Sequence, residues 1–514
     1  MPEIVLTTLN AKYIHAAFGL RYLLANLGPL RSRAALLEFD INQRPVDVAE
    51  ALLAQDPRII ALGVYIWNVG PATELVATLK RVRPEVAVIL GGPEVSYEAE
   101  GQPIVQMADY VISGEADLAF AELCGQLLSG KKPVGKLIPA ALPEFSQLAL
   151  PYDLYGEQDI AHRILYVEAS RGCPFSCEFC LSSLDIPVRQ VPLPALFDAL
   201  ERLLQRGPKQ LKFVDRTFNL NANASRAILE FCRERYRPGH FFHFEMVPDR
   251  LPESLKEVIA RFPPGALQFE VGVQTYNEQT ASLIHRRQNV QRLEENLRFL
   301  RNETGVHIHA DLIAGLPGED VESFAAGFDR LLALGPHEIQ VGLLKRLRGT
   351  PIVRHDVEWQ MVYNPHPPYE ILQNRLIEFG AMQKLRRFAR YWDLVGNSGN
   401  FIRSAPLIWS CDASPFHAFM RWSEWLHGRV RRTDSIALVR LMELLFEYLT
   451  GELSLVPDTT ARALWEDYQR GGRRDKPSFL RDILPADAVS PRSRPSAQGT
   501  LPKRQARHRV EPGR

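Results

Sequence analysis

Residues 171–180 read RGCPFSCEFC, which sets Cys173, Cys177 and Cys180 within eight positions and leaves no fourth cysteine close behind. Thiolates are soft ligands that suit zinc, copper(I) or iron–sulfur clusters, so number and geometry must decide between them. Structural zinc asks for four protein ligands, commonly as two separated pairs. Here a single trio stands alone, and neither His162 nor His243 is spaced to complete a zinc set. Three cysteines suffice to hold three irons of a four-iron, four-sulfur cluster, with the last iron open to a substrate or cofactor. A cluster with one open corner is the reading this spacing favours, and zinc is its alternative.

Working outward, the trio follows the apolar run ILYVEASRG (164–172) and sits on the loop at its C-terminal end. Further strand-like runs come after it: QLKFVD (210–215), FFHFEM (241–246), LQFEVGV (267–273), VHIHADLIAG (306–315) and HEIQVGLL (337–344). Amphipathic stretches such as LPALFDALERLLQRG and VESFAAGFDRLLALG separate them. Six β/α units over residues 161–355 predict a partial (β/α)6 barrel, whose functional residues gather at the C-terminal strand ends.

Upstream, IVLTTL (4–9), AALLEF (34–39), IIALGVY (59–65), VAVIL (86–90) and DYVIS (109–113) alternate with helix-like segments. Their unbroken apolar character predicts a doubly wound parallel sheet covered on both faces, over residues 1–135. The proline-rich residues 136–160 read as a linker. Downstream, PPYEILQNRLIEFGAMQKLRRFARYWDLV and SIALVRLMELLFEYLTGEL carry apolar positions at helical spacing, so residues 356–486 read as an all-helical domain. Residues 487–514, poor in large apolar groups and rich in Pro, Ser and Arg, read as a disordered basic tail.

Composition agrees with a globular α/β protein: hydrophobic residues make up 46% and charged residues 24%. Formal net charge is +1, which creates no whole-molecule field toward nucleic acid. No apolar run approaches the ~20 residues of a spanning helix, and the N-terminus MPEIVLTTLN lacks a signal pattern; a cytoplasmic location is expected. The remaining cysteines, Cys124, Cys232 and Cys411, read as small buried hydrophobes. Arg346 and Arg348 read as solvated, with an anionic substrate as the alternative.

With Phe179 just ahead of the last thiol, the trio resembles the radical S-adenosylmethionine (SAM) superfamily. The resemblance implies a 4Fe–4S cluster held by Cys173, Cys177 and Cys180, SAM chelated at the open iron, and reductive cleavage to a 5′-deoxyadenosyl radical. It implies cofactor contacts at Phe179, at Asp215 in FVDRTFN with Asn219, at Glu245, at Glu270 and Gln274, and at Asp311, Gly315 and Pro317. The loops NAKYIHAAFG, YIWNVG, GGPEVS and GEADLAF resemble the cobalamin-binding domain of the cobalamin-dependent radical SAM class. That likeness implies cobalamin contacts at Tyr65, Gly91, Gly92, Gly114 and Glu115. One departure is visible: the D-x-H-x-x-G cobalt-ligating pattern has Tyr13 and Phe18 at its outer positions, which leaves His15 as either a ligand or a histidine at the start of a helix.

The class implies a methyltransferase acting on an unactivated carbon or phosphorus centre of a small molecule or peptide, with an electron donor such as flavodoxin or ferredoxin. Ring-forming or rearranging chemistry without methyl transfer is the second reading. A non-enzymatic iron–sulfur sensor or RNA-associated protein is the third.

Overall fold

A computed structural model describes residues 1–184, 187–473, 475–481, 483–484 and 502–508. These group into two compact units: residues 1–218 with 345–354 and 363–370, and residues 219–344 with 355–362 and 371 onward.

In the first unit, strands β1 (Ile4–Asn10), β2 (Ala34–Asp40), β3 (Ile59–Gly63), β4 (Ala87–Gly91), β5 (Tyr110–Ser113) and β6 (Leu137–Pro139) form one sheet in the order β2-β1-β3-β4-β5-β6. Every pairing is parallel. β1 and β3 are buried along their whole length, as strands covered by helices on both faces must be. The strand order reverses between β1 and β3, and in such sheets ligands bind beyond the carboxyl ends near that switch.

β6 corrects the linker assigned to residues 136–160. Leu137, Ile138 and Pro139 continue the sheet beside β5, and Tyr152 and Tyr155 further on are each 1% exposed. A three-residue edge strand that contains proline is too short to show a period.

The second parallel series opens in the first unit with β7 (Leu165–Val167), the small ribbon β8 (Ser170–Arg171) and β9 (Arg189–Gln190), and β10 (Gln210–Phe213). β7 and β10 pair in parallel, whereas β8 and β9 are antiparallel. In the second unit β11 (Phe241–Met246), β12 (Leu267–Gln274), β13 (His307–Ala314) and β14 (Glu338–Leu343) pair in sequence order, all parallel. Leaving aside the ribbon, these are the six strands of a partial barrel.

The C-terminal region is mainly helical, with long helices at Phe379–Leu394, Pro415–Val430, Leu438–Glu447 and Pro457–Arg470. Its beginning departs from expectation. Residues 356–378 hold two short strands, β15 (Val362–Tyr363) and β16 (Ile371–Gln373), and no long helix. The apolar residues whose spacing suggested a helix there, Ile371 and Ile377, are buried from strand and loop positions.

The tail also departs where it is described. Lys503–His508 is helical. Arg504 Nε lies 2.8 Å from Glu338 Oε2, Gln505 Nε2 donates to Gln268 Oε1 at 2.8 Å, and His508 Nε2 meets the Asn397 carbonyl at 2.8 Å. Specific polar partners fix this segment in place of an apolar face. The rest of 487–514 lies outside the described residues. Cys124 and Cys232 are buried as expected, but Cys411 is exposed. Among the described residues no helix is long and apolar enough to cross a membrane.

Candidate active site

The thiol loop leaves the C-terminal end of β7, and charged groups fix it at three points. At its start Arg171 reaches three carboxylates: Glu168 Oε1 at 2.9 Å, Glu115 Oε2 at 2.7 Å and Asp117 Oδ2 at 2.8 Å. At its centre Glu178, 1% exposed, pairs with Arg354, while its carbonyl accepts the Ile352 N–H at 3.1 Å. Beneath it Asp215, just beyond β10, accepts the Ala169 N–H at 2.9 Å and the Ser170 hydroxyl at 2.6 Å. Burial pushes the Asp215 carboxyl up to about 7 against those two bonds. Asp215 therefore spends its oxygens on the residues that launch the loop.

Cys173 and Cys177 are 8% and 6% exposed, Cys180 and Phe179 are half-buried, and the Cys180 N–H closes a turn onto the Cys177 carbonyl at 3.1 Å. Among the described residues no group of three or more His, Cys, Asp or Glu converges on a single-ion position. A cuboidal cluster makes a different demand, since each thiolate takes its own iron and the sulfurs stand apart around a volume. Sheltered thiols on a pinned loop fit that group. His162 is exposed, and His243 pairs with Glu270, so neither completes a zinc set.

A cavity of about 300 Å³ lies at the carboxyl ends of β3, β4 and β5, against the helix Phe18–Ala25. Tyr65, Gly91, Gly92, Gly114 and Glu115 all line it, with Gly19, Gly63, Leu20, Leu23, Ile89 and Ile112. Gly92 has φ +109°, and a Cβ there would collide with the Val64 carbonyl oxygen. Gly114, at φ +83°, likewise needs the freedom of glycine. This bare, mostly apolar cradle suits a flat aromatic group, and the nucleotide tail of cobalamin is of that kind.

Glu115 lines the cavity with its carboxylate already paired to Arg171 and Arg189. His15 lies outside the lining: its Nδ1 is 2.6 Å from the Tyr166 hydroxyl, and its backbone bridges to Ile164. This bridge lies three residues ahead of the helix Phe18–Ala25. The loop that follows Gly92 is held by Arg348, whose Nε lies 2.8 Å from Glu94, and by Arg346, 3.2 Å from Glu98. Those arginines are thus ion-paired, which corrects the solvated reading, and both also line another cavity with Tyr363, Asn364 and Tyr369.

In the second unit, strand registers align Glu245 with Glu270, Glu270 with His309 and His309 with Glu338, one rung across four strands. The neighbouring rung sets Gly272 opposite Asp311. Intervening residues such as Phe244, Phe269, Val271 and Ala310 are buried and apolar. A closed (β/α)8 barrel fills its interior with branched apolar side chains. Here one face of the strands is ionisable, as ligand binding requires.

His309 sits 3.3 Å from Asp311 and 3.5 Å from Glu338. Burial opposes its charge, but the two carboxylates outweigh it and push the imidazole up to about 10. His243 Nε2 is 3.0 Å from Glu270 Oε2.

Gln274 closes β12 at a register shift with φ +72°, and its amide folds back over Gly272, where a Cβ would lie 2.5 Å from Gln274 Nε2. Gly315 and Pro317 form a buried turn after β13. A Cβ on Gly315 (φ +89°) would lie 2.7 Å from Ile371 Cγ2, so packing demands the glycine. Asn219 pins the loop after β11, accepting the Val247 N–H at 2.7 Å.

Sequence reasoning missed Arg171, Glu168, Asp117, Glu178 and His309. Arg171 and Glu178 lie inside the quoted stretch, where a charge amid buried thiols is itself a signal. His309 lies two positions before Asp311, on the same strand face.

Residues 4–124 match the B12 binding domain, residues 167–331 the Radical SAM superfamily, and residues 357–493 a protein family of unknown function, DUF4080. The chain is 24% identical over 467 residues to the cobalamin-dependent radical SAM methyltransferase TokK of Streptomyces tokunonensis, covering 80% of this chain and 63% of that one. It is 28% identical over 204 residues to an uncharacterized methyltransferase of Pyrococcus horikoshii, covering 34% and 43%. The chain thus spans less than two thirds of these relatives' lengths. Its fold is similar to that of the cobalamin-dependent SAM radical enzyme OxsB with aqua-cobalamin and SAM bound, at TM-score 0.60 and 12% identity over 93% of this chain and 82% of that one. The radical SAM methyltransferase TsrM of Kitasatospora setae gives TM-score 0.58 at 16% identity, over 71% and 79%.

Proposed function

From a chain in which a B12-binding domain precedes a radical SAM domain, we propose a cobalamin-dependent radical SAM methyltransferase that acts on an unactivated carbon or phosphorus centre of a small molecule or peptide. The observation that carries the reading is the presence, in one unit, of a glycine-lined cavity and a pinned loop of three sheltered thiols. When bound, the cluster supplies the electron that cleaves SAM, and cobalamin carries the methyl group.

The chain's own contribution is to hold and to shelter. Cys173, Cys177 and Cys180 take three irons, and Asp215 and Glu178 keep their loop in place. Gly92 and Gly114 keep the cradle open. The carboxylates of Glu245, Glu270 and Asp311 offer acceptors for ribose hydroxyls and an ammonium group, and the His309 imidazolium offers a donor. A low-potential donor of the flavodoxin or ferredoxin class supplies electrons in this reading.

Product analysis tests it. Anoxically reconstituted protein, given SAM, hydroxocobalamin and dithionite, should release 5′-deoxyadenosine and S-adenosylhomocysteine, and Cys177→Ala should release no 5′-deoxyadenosine. Neither product from the reconstituted wild type contradicts the proposal.

A further inference from the structure

Arg171 belongs to two structures at once. It opens the thiol loop two residues before Cys173, and it lines the glycine-rich cavity with Glu115, Asp117 and Glu168. Its guanidinium stacks over Tyr22 at 4.5 Å and faces Phe145 at 5.2 Å. Tyr22 lines the same cavity. Glu115 and Asp117 come from the loop after β5, where Gly114 sets the cavity rim, while Glu168 comes from the end of β7. Side-chain exposure is 14% for Arg171, 14% for Glu115 and 6% for Asp117 and Glu168. Little water is present to screen these pairs. Two rigid strand ends are thereby joined through one planar, forked cation, a geometry that lysine does not reproduce.

We propose that Arg171 is a positioning residue that couples occupancy of this cavity to the geometry of the thiol loop, so that corrinoid and cluster strengthen each other's binding. The inference rests on the function proposed above, because it takes cobalamin and a cluster as the two ligands. A ligand against Glu115, Asp117 and Tyr22 fixes the residues that hold Arg171, and Arg171 in turn fixes the path of the chain into Cys173. Thermodynamic linkage makes the effect reciprocal.

The test uses the full chain under anoxic conditions, with hydroxocobalamin as the probe. Its dissociation constant is measured before and after cluster assembly, and the rate at which a ferrous chelator strips iron is measured with and without hydroxocobalamin. The wild type should bind hydroxocobalamin at least about fivefold more tightly once the cluster is assembled, and lose iron more slowly when the corrinoid is bound. Arg171→Ala should bring both ratios close to one, and Arg171→Lys should restore only part of each. Asp117→Asn, which keeps Arg171 and its pairs with Glu115 and Glu168, should also lower both ratios, and it decides the matter if Arg171→Ala does not fold.

Wild-type ratios of one, or variants that keep the full wild-type ratios, overturn the coupling while leaving the methyltransferase reading intact. A wild type that binds no hydroxocobalamin in either state overturns both.

Discussion

Glu319 follows the turn after β13 and is 1% exposed, and its Oε1 accepts the Thr275 hydroxyl at 2.6 Å. Thr275 directly follows Gln274, so this bond anchors the left-handed end of β12. Burial pushes the Glu319 carboxyl up from 4.5 to about 7; the Thr275 bond opposes the change, and neighbouring Asp320 adds to it. The folded state therefore holds a proton that the unfolded chain releases near 4.5. Between pH 4.5 and 7 the folded chain binds more protons, so stability declines as pH rises across that window and is flat above it. At about 1.36 kcal/mol per pH unit the full decline comes to roughly 3 kcal/mol. Glu319→Gln keeps the acceptor for Thr275 and removes the ionisation. Denaturant unfolding followed from pH 4.5 to 8.5 should show variant and wild type merging at the acid end, with the variant gaining up to about 3 kcal/mol at pH 8. Parallel curves with no pH-dependent gap would refute the reasoning.

Gly92→Ala places a methyl group against the Val64 carbonyl at a backbone conformation reserved for glycine, a strain of about 1–3 kcal/mol. Hydroxocobalamin affinity should fall tenfold or more while iron content per chain is kept; unchanged affinity contradicts the cradle. Glu338→Gln removes the carboxylate shared by His307, His309 and Arg504, and should cost about 3–5 kcal/mol in chemical denaturation; a loss under about 1 kcal/mol contradicts a buried ion cluster. Ending the chain after residue 501 removes the partners that Arg504, Gln505 and His508 give to Glu338, Gln268 and Asn397. The melting temperature should drop by several degrees, and an unchanged melting curve would show that the segment contributes nothing.

Much of the fold was legible because its strands are long and of one character. β1 and β3 to β5 read as unbroken apolar runs and β11 to β13 as strand-like runs; in the structure Glu245, Glu270 and Asp311 take the face opposite Phe244, Val271 and Ala310. β6 was not legible, being three residues of edge with a proline. The stretch around Ile371 misled because apolar spacing near a strand and a turn imitates a helical period. The tail misled because composition speaks of apolar burial, whereas Arg504 and His508 are held by Glu338 and a backbone carbonyl.

At the site, the thiols and the glycines were legible because their chemistry admits few alternatives. The roles of Asp215 and Glu115 were not, because a carboxylate at a strand end looks the same in sequence whether it faces a ligand, a backbone N–H or an arginine. The same holds for Arg346 and Arg348, whose partners Glu94 and Glu98 lie some 250 positions away.

The most direct test of the central claim is electron paramagnetic resonance of the dithionite-reduced, anoxically reconstituted protein before and after SAM is added, without cobalamin. A cluster with an open iron, held by Cys173, Cys177 and Cys180, predicts a reduced 4Fe–4S signal that changes shape when SAM binds, with about four irons per chain. A protein that retains zinc and no sulfide, or a cluster signal that SAM leaves unaltered, would contradict it.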